Sequence, residues 1–221
     1  QAEAARVSIE SMDTRAGRLE AAIHVQNLGG HKLPTAYPSR RVWLHVVVKD
    51  RTGRVFFESG AINEKGQIQG NDNDADANRF EPHYTEITSP DQVQIYESVM
   101  AGADGNLTTG LLTAVRYIKD NRLLPKGFNK ATADSQVAVH GGAETDADFN
   151  GDGDHIRYSI PMGGAQGPFQ FEAELWFQPI GYRWAENLRR YDNEEAKRFN
   201  RFYDSMSQAS GVMLVRATAS K

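Results

Sequence analysis

Apolar and polar residues alternate over much of this chain. In "RLEAAIHVQNL", Leu19, Ala21, Ile23 and Val25 share one face while Glu20, Ala22, His24 and Gln26 share the other, which is the period-2 signature of a half-buried strand. "RRVWLHVVVKD" repeats it with Val42, Leu44, Val46 and Val48 inward, and Asp50 to Gly53 turns the chain back into Val55 to Glu58 as a β-hairpin. Further strands are read in "DQVQIYESVM", from Asp154 to Pro161, from Pro168 to Gln178 with Phe169, Phe171, Ala173, Leu175 and Phe177 in phase, and in "GVMLVRATA". Two stretches change period. "TTGLLTAVRYIKDN" spaces Leu111, Leu112, Val115 and Ile118 for a short helix capped by Thr108 or Thr109 and ending near Asn121. "DNEEAKRFNRFYDSM" predicts a second helix, with Asp192 as N-cap, acids in its first turn and Ala196, Phe199, Phe202, Tyr203 and Met206 on one stripe. Gly60 to Thr85 is poor in apolar residues and reads as a long loop, functional or ordered by a cation. With no repeat and no domain-scale linker, residues 1–221 are expected to form one mainly all-β domain, an antiparallel β-sandwich with two short helical insertions.

Charge and composition narrow the function. Twenty-five bases against 29 acids give a net charge of -4, too balanced to draw nucleic acid or anionic lipid by its field. No apolar run is long enough for a helical membrane span. The sequence begins with Gln and shows no basic-then-apolar signal pattern, so it is read as a mature chain or an excised domain. Cysteine is absent, which removes disulfides, thiolate metal sites, nucleophilic thiols and the C-x-x-C-H attachment of covalent haem.

Chemistry concentrates in "DADFNGDGDHIRYSI". Asp146, Asp148, Asn150, Asp152 and Asp154 place side-chain oxygens on alternate residues around a turn glycine, as a calcium loop would, and no base lies between them to offset the repulsion. His155 is the only histidine close by in sequence, so an oxygen-seeking ion is expected over zinc or copper. The twelfth position, Arg157 or Ser159 by register, cannot be the bidentate Glu of an EF-hand. Asp72, Asp74 and Asp76 in "NDNDAD" are read as a second site or as further ligands, though the turn glycine is missing. Against both readings stands the ordinary preference of Asp-Gly and Asn-Gly for solvated turns.

A histidine loop, "NLGGHKLPTAYPSRRVW", puts His31 after a Gly-Gly pair and Arg40 and Arg41 at a strand start. The stretch resembles the N-L-T-G-H-K-L-P-T-G-Y-P-S-R-R signature of a cysteine-free β-domain attached to extracytoplasmic multihaem c-type cytochromes. Further similarity lies in "FESGAI", "EPHYTEITSPDQVQIYESVM", "TTGLLTAVRYIKDNRLLPKGF" and "DADFNGDGDHIRYSI", together covering about Asn27 to Trp184. Gly29 and Ala36 depart from the pattern without removing a ligand. The resemblance implies a periplasmic or cell-surface module that packs beside haem-bearing segments of a partner chain or adjoining domain in electron transfer. His31 would then be an axial ligand or propionate partner, and Arg40 and Arg41 would pair with propionates.

No G-x-S-x-G, H-E-x-x-H, P-loop or dinucleotide fingerprint is present, so no catalytic residue is assigned and the chain is read as non-enzymatic. A glycosidase pair at Glu172 and Glu174 ranks last, because both sit on the polar side of an aromatic strand. Trp176, Tyr182 and Trp184 suit a sugar platform or, more simply, a core. The alternative function is a cell-surface structural or adhesion module, a self-associating filament subunit or a glycan binder.

Overall fold

A computed structural model describes residues 3–221. Two sheets hold most of the strand residues. Strands β1 (Ala5–Arg15), β2 (Arg18–Asn27), β10 (Asp154–Pro161) and β5 (Glu86–Ile87) form one, in the order β1-β2-β10-β5, antiparallel apart from the parallel β10–β5 contact. The other runs β12-β11-β3-β4, from Val212–Ser220, Gln170–Gln178, Arg41–Lys49 and Val55–Ser59, with the two-residue β6 (Ile95–Tyr96) also paired to β3. Their apolar faces meet in one core, where Leu19, Ile23, Val25, Ile156, Tyr158 and Ile160 pack with Val42, Leu44, Val46, Val48, Phe171 and Leu175. A third sheet, β8-β7-β9 (Leu107–Thr108, Ser98–Gly102, Ala114–Asp120), flanks them. The mainly β expectation therefore holds, and the β3–β4 hairpin forms with Asp50 Oδ1 accepting from the Thr52 and Arg54 amides across its turn.

A strand replaces the expected helix at one place, and two short helices lie where no element was expected. The segment expected to be helical after Thr108 is β9: Thr108 Oγ1 accepts from Gly110 N, Thr113 N closes a turn on Gly110, and Ala114–Asp120 joins the free edge of β7. Its apolar stripe has nothing to pack on, since Leu112 is fully exposed and Val115 largely so, and the β-branched and aromatic Val115, Tyr117 and Ile118 favour the ladder. Two helices lie later. Tyr182–Leu188 is α2, and Glu194–Met206 is α3, capped by Asn193 instead of Asp192 through an Asn193 Oδ1 bond to Ala196 N. The short α1 (Asp72–Ala75) interrupts the long loop between Gly60 and Thr85. Strand β1 escapes the alternation test because its register slips between Ile9 and Ser11, leaving Glu10 as the extra residue of a bulge.

Candidate functional site

Strand β10 starts at the end of the acidic loop, so its first residue, Asp154, is fully buried among polar groups from β6 and from the loop before β5. Asp154 Oδ2 accepts from Tyr96 Oη at 2.8 Å and Gln94 Nε2 at 2.9 Å. Its Oδ1 has no hydrogen-bond partner and lies 3.8 Å from His83 Nε2. Burial pushes the Asp154 carboxyl up to about 7 against the pull of the Tyr96 and Gln94 bonds, and the nearby Asp146 and Asp148 charges push the same way.

His83, 63 residues upstream of Asp146 in sequence, closes the pocket. Its Nε2 lies 3.0 Å from Asp146 Oδ2, and its Nδ1 faces two amide nitrogens, Gln94 Nε2 at 3.0 Å and Asn121 Nδ2 at 3.1 Å. Those amides cannot be turned over, because Gln94 Oε1 already accepts from Tyr84 N and Asn121 Oδ1 from Glu97 N. Nδ1 is therefore an acceptor and Nε2 carries the proton, which it donates to Asp146. Burial, against the Asp146 bond, drives the ring's basicity down to about 4. His83 is thus a neutral donor that orients a carboxylate, not a ligand nitrogen, and an ion here would meet only oxygens.

The five loop residues do not all converge. Asp146 and Asp154 are buried, and Asp148 and Asp152 are exposed. Asn150 Oδ1 accepts from Asp152 N within the turn. The loop also has a base that its own sequence lacks: Lys130 donates from Nζ to the Asp146 and Ala143 carbonyls and lies over Phe149. The repulsion that pointed to a bound ion is in part offset by this ammonium. A divalent ion is left three candidate carboxylates, Asp146, Asp148 and Asp154.

Asp72, Asp74 and Asp76 point to separate partners. Asp72 pairs with Arg79, Asp76 caps Asn78 N, and Asp74 is buried against Arg41. Arg41 in turn is not free for a propionate: both terminal nitrogens bond Asp74, and its Nε donates to Gln178 Oε1. His31 and Arg40 remain near solvent; the His31 carbonyl accepts from Asn27 Nδ2, and Arg40 donates to the Thr35 carbonyl. Glu174 is tied into a network with Arg216, Trp176 and His45. Burial would raise its pKa, but bonds from Trp176 Nε1 and Arg216 and a His45 contact outweigh that and hold it below the usual carboxylate range. Trp176 packs on Trp43 with ring centroids 6.1 Å apart.

An apolar groove of about 830 Å³ opens beside the loop that follows β8, lined by Leu111, Leu112, Trp184, Leu188, Tyr191 and Phe199. Of these, Leu111, Leu112 and Tyr191 are largely exposed. The helical spacing of Leu111 and Leu112 concealed this surface in the sequence. His83 and Lys130 were equally hidden, since neither lies near the acidic loop along the chain.

A β-rich domain with no haem-attachment cysteine, built around a buried carboxylate, is the class this geometry defines. No family model matches the chain, and no curated protein does. Among solved structures it is similar to a penta-heme cytochrome c552 from Thermochromatium tepidum, with a TM-score of 0.57 and 14% sequence identity, over 100% of this chain and 40% of that one. The likeness is one of fold, and the chain spans well under half the length of that cytochrome. None of the helices among the described residues is long and apolar enough to cross a membrane.

Proposed function

We propose that this chain is a non-catalytic, cation-stabilised β domain of an extracytoplasmic multihaem cytochrome assembly, packing beside haem-bearing polypeptide and carrying no covalent haem itself. The match of the whole chain to part of a penta-heme cytochrome carries this reading. The lack of cysteine is consistent with it, since haem would have to be attached elsewhere. The groove at Leu111, Leu112 and Tyr191 offers a contact surface of the kind that interfaces use. His31 and Arg40 are the residues offered to a neighbouring haem, as imidazole ligand and propionate partner. Arg41 serves the fold.

Calcium is the ion proposed for Asp146, Asp148 and Asp154. The locked tautomer of His83 keeps nitrogen out of the coordination shell, and a hard cation accepts carboxylate and main-chain oxygens. The charge it brings would satisfy the unpartnered Asp154 Oδ1.

Tagged protein recovered from the extracytoplasmic fraction of native cells should bring c-type haem with it in fixed ratio, read from the reduced absorbance band. Leu112→Glu should lower that ratio, and His31→Ala should change the haem spectrum. Protein recovered without haem, sedimenting as a polymer of itself, would overturn the reading in favour of a self-associating surface module.

A further inference from the structure

A second cluster lies on the outer face of the first sheet, built from Glu10 of β1, His24 of β2 and His155 of β10. The register sets it up. His24 pairs directly with His155 across β2 and β10, and their rings stack with centroids 4.1 Å apart and planes 6° from parallel. On the other side His24 pairs with Ser8, two residues before Glu10, and the bulge that makes Glu10 the unpaired residue turns its carboxylate onto the same face. Glu10 Oε1 lies 3.5 Å from His24 Nδ1, and Oε2 lies 3.6 Å from His155 Nε2.

His24 is the same tautomer as His83, with hydrogen on Nε2, but its ring is turned the other way, so that the bare nitrogen faces the carboxylate. Its Nε2 lies 3.0 Å from the carbonyl oxygen of Asp152, which can only accept, so Nε2 holds the proton and Nδ1 presents its lone pair toward Glu10. A main-chain carbonyl that fixes one ring nitrogen so that the other can ligate is the usual support of a metal-binding histidine. Gly153 is part of this support. At φ +133° a Cβ there would stand 2.5 Å from His24 Nε2, so no larger residue lets the ring reach the Asp152 carbonyl.

We infer that Glu10, His24 and His155 form a surface site for a borderline divalent transition metal of the zinc or copper class, with a position left open to solvent. Two imidazoles and a carboxylate are the donors such ions take, and calcium is a poor match to two ring nitrogens. The distances are close to those needed: bonds of 2.0–2.1 Å at tetrahedral angles place donors about 3.3 Å apart. The three donor atoms already lie within 4.8 Å of one another, and a modest tilt of His155, which is two-fifths exposed, brings its lone pair onto the shared point. The second carboxylate-histidine cluster, at Asp146 and Asp154, cannot do this because His83 Nε2 is protonated. One composition therefore gives two sites of different preference, decided by which ring nitrogen is turned toward the carboxylates: the protonated one in His83, the bare one in His24.

Calorimetric titration of the full chain with zinc chloride at pH 7.5, in excess calcium, tests the inference. One saturable zinc site is expected. His155→Ala and His24→Ala should each weaken it by about 10–100-fold or more, and Glu10→Gln by about 10-fold. Copper(II) on the wild type should show nitrogen hyperfine splitting that falls to one nitrogen in His155→Ala, a readout that a general loss of stability does not mimic. Asp154→Asn should leave the zinc titration unchanged, which separates this site from the acidic loop. Absence of saturable zinc binding in the folded wild type, or retention of full affinity in His155→Ala, overturns it.

Discussion

The guanidinium of Arg41 holds both carboxylate oxygens of Asp74 at 2.8 Å, in a site where neither side chain reaches solvent. A residue that looks in sequence like an anion binder is thereby the anchor of the long loop between β4 and β5, because Asp74 Oδ2 also accepts from Ile68 N. Removing one partner strands a buried charge, at a cost of about 3–5 kcal/mol. Arg41→Ala and Asp74→Ala should each lower the urea midpoint by that order. Arg41→Met combined with Asp74→Leu should recover much of the loss. If haem association is measured alongside, Arg41→Met/Asp74→Leu should retain it wherever the fold is retained.

Asp154 supplies the test of the cation. Ligand binding to the native state raises stability by mass action, about 2.7 kcal/mol at a hundredfold excess over the dissociation constant. The wild type should therefore melt higher in calcium than in chelator. Asp154→Asn should abolish that difference while melting near or above the wild type in chelator, since the amide removes a buried carboxylate whose Oδ1 has no partner. Asp152→Asn should leave the calcium response intact, as the Asp148 charge reaches Asp154 while the Asp152 main chain is tied to His24 and Gln26. Equal melting of the wild type in both buffers would remove the ion from the description.

How far the sequence reveals this molecule depends on how local each signal is. Strands β2, β3, β10, β11 and β12 were legible because one face of each is buried, or in β12 half-buried, and much of each keeps the alternation. The bulge at Glu10 broke the alternation of β1 and hid the longest strand, although Val7, Ile9 and Met12 are apolar. At Leu111–Ile118 a helical spacing misled, because tertiary pairing with β7 outweighed the local pattern. The acidic loop was visible as a motif, but its charge balance was not: Lys130 and His83 reach it through space. The pairing of Asp74 with Arg41 spans 33 residues and carries no local signature at all.

Gly60 gives a sharp packing prediction. It follows β4 at φ +80°, its carbonyl accepts from Trp43 Nε1 at 2.8 Å, and a Cβ would stand 2.3 Å from the Leu44 carbonyl. Both the backbone conformation and the clash with main chain oppose any side chain. Gly60→Ala should cost about 2 kcal/mol or more and shift the fluorescence of Trp43, whereas Gly53→Ala, which meets no atom within 4 Å, should cost about 1 kcal/mol from its positive φ alone.

Acid sensitivity should centre on Asp120. This buried carboxylate accepts from Lys32 Nζ at 2.9 Å and from Arg122 Nε at 2.9 Å. Burial raises its proton affinity, but the two cations outweigh burial and hold it below its ordinary value of 3.8. A carboxyl with a lower pKa in the folded state stabilises the protein above the unfolded pKa and loses that contribution as pH falls through the folded one. Its share of stability should thus be complete at pH 6, start to fall near pH 4 and be gone at lower pH. Asp120→Asn should be clearly less stable than the wild type at pH 6, by about 2 kcal/mol or more, because Lys32 and Arg122 are left facing a neutral amide. The two proteins should converge as pH drops below 4. A constant difference between their unfolding free energies from pH 6 to pH 3 would show that the amide acts through shape and not through the lost charge.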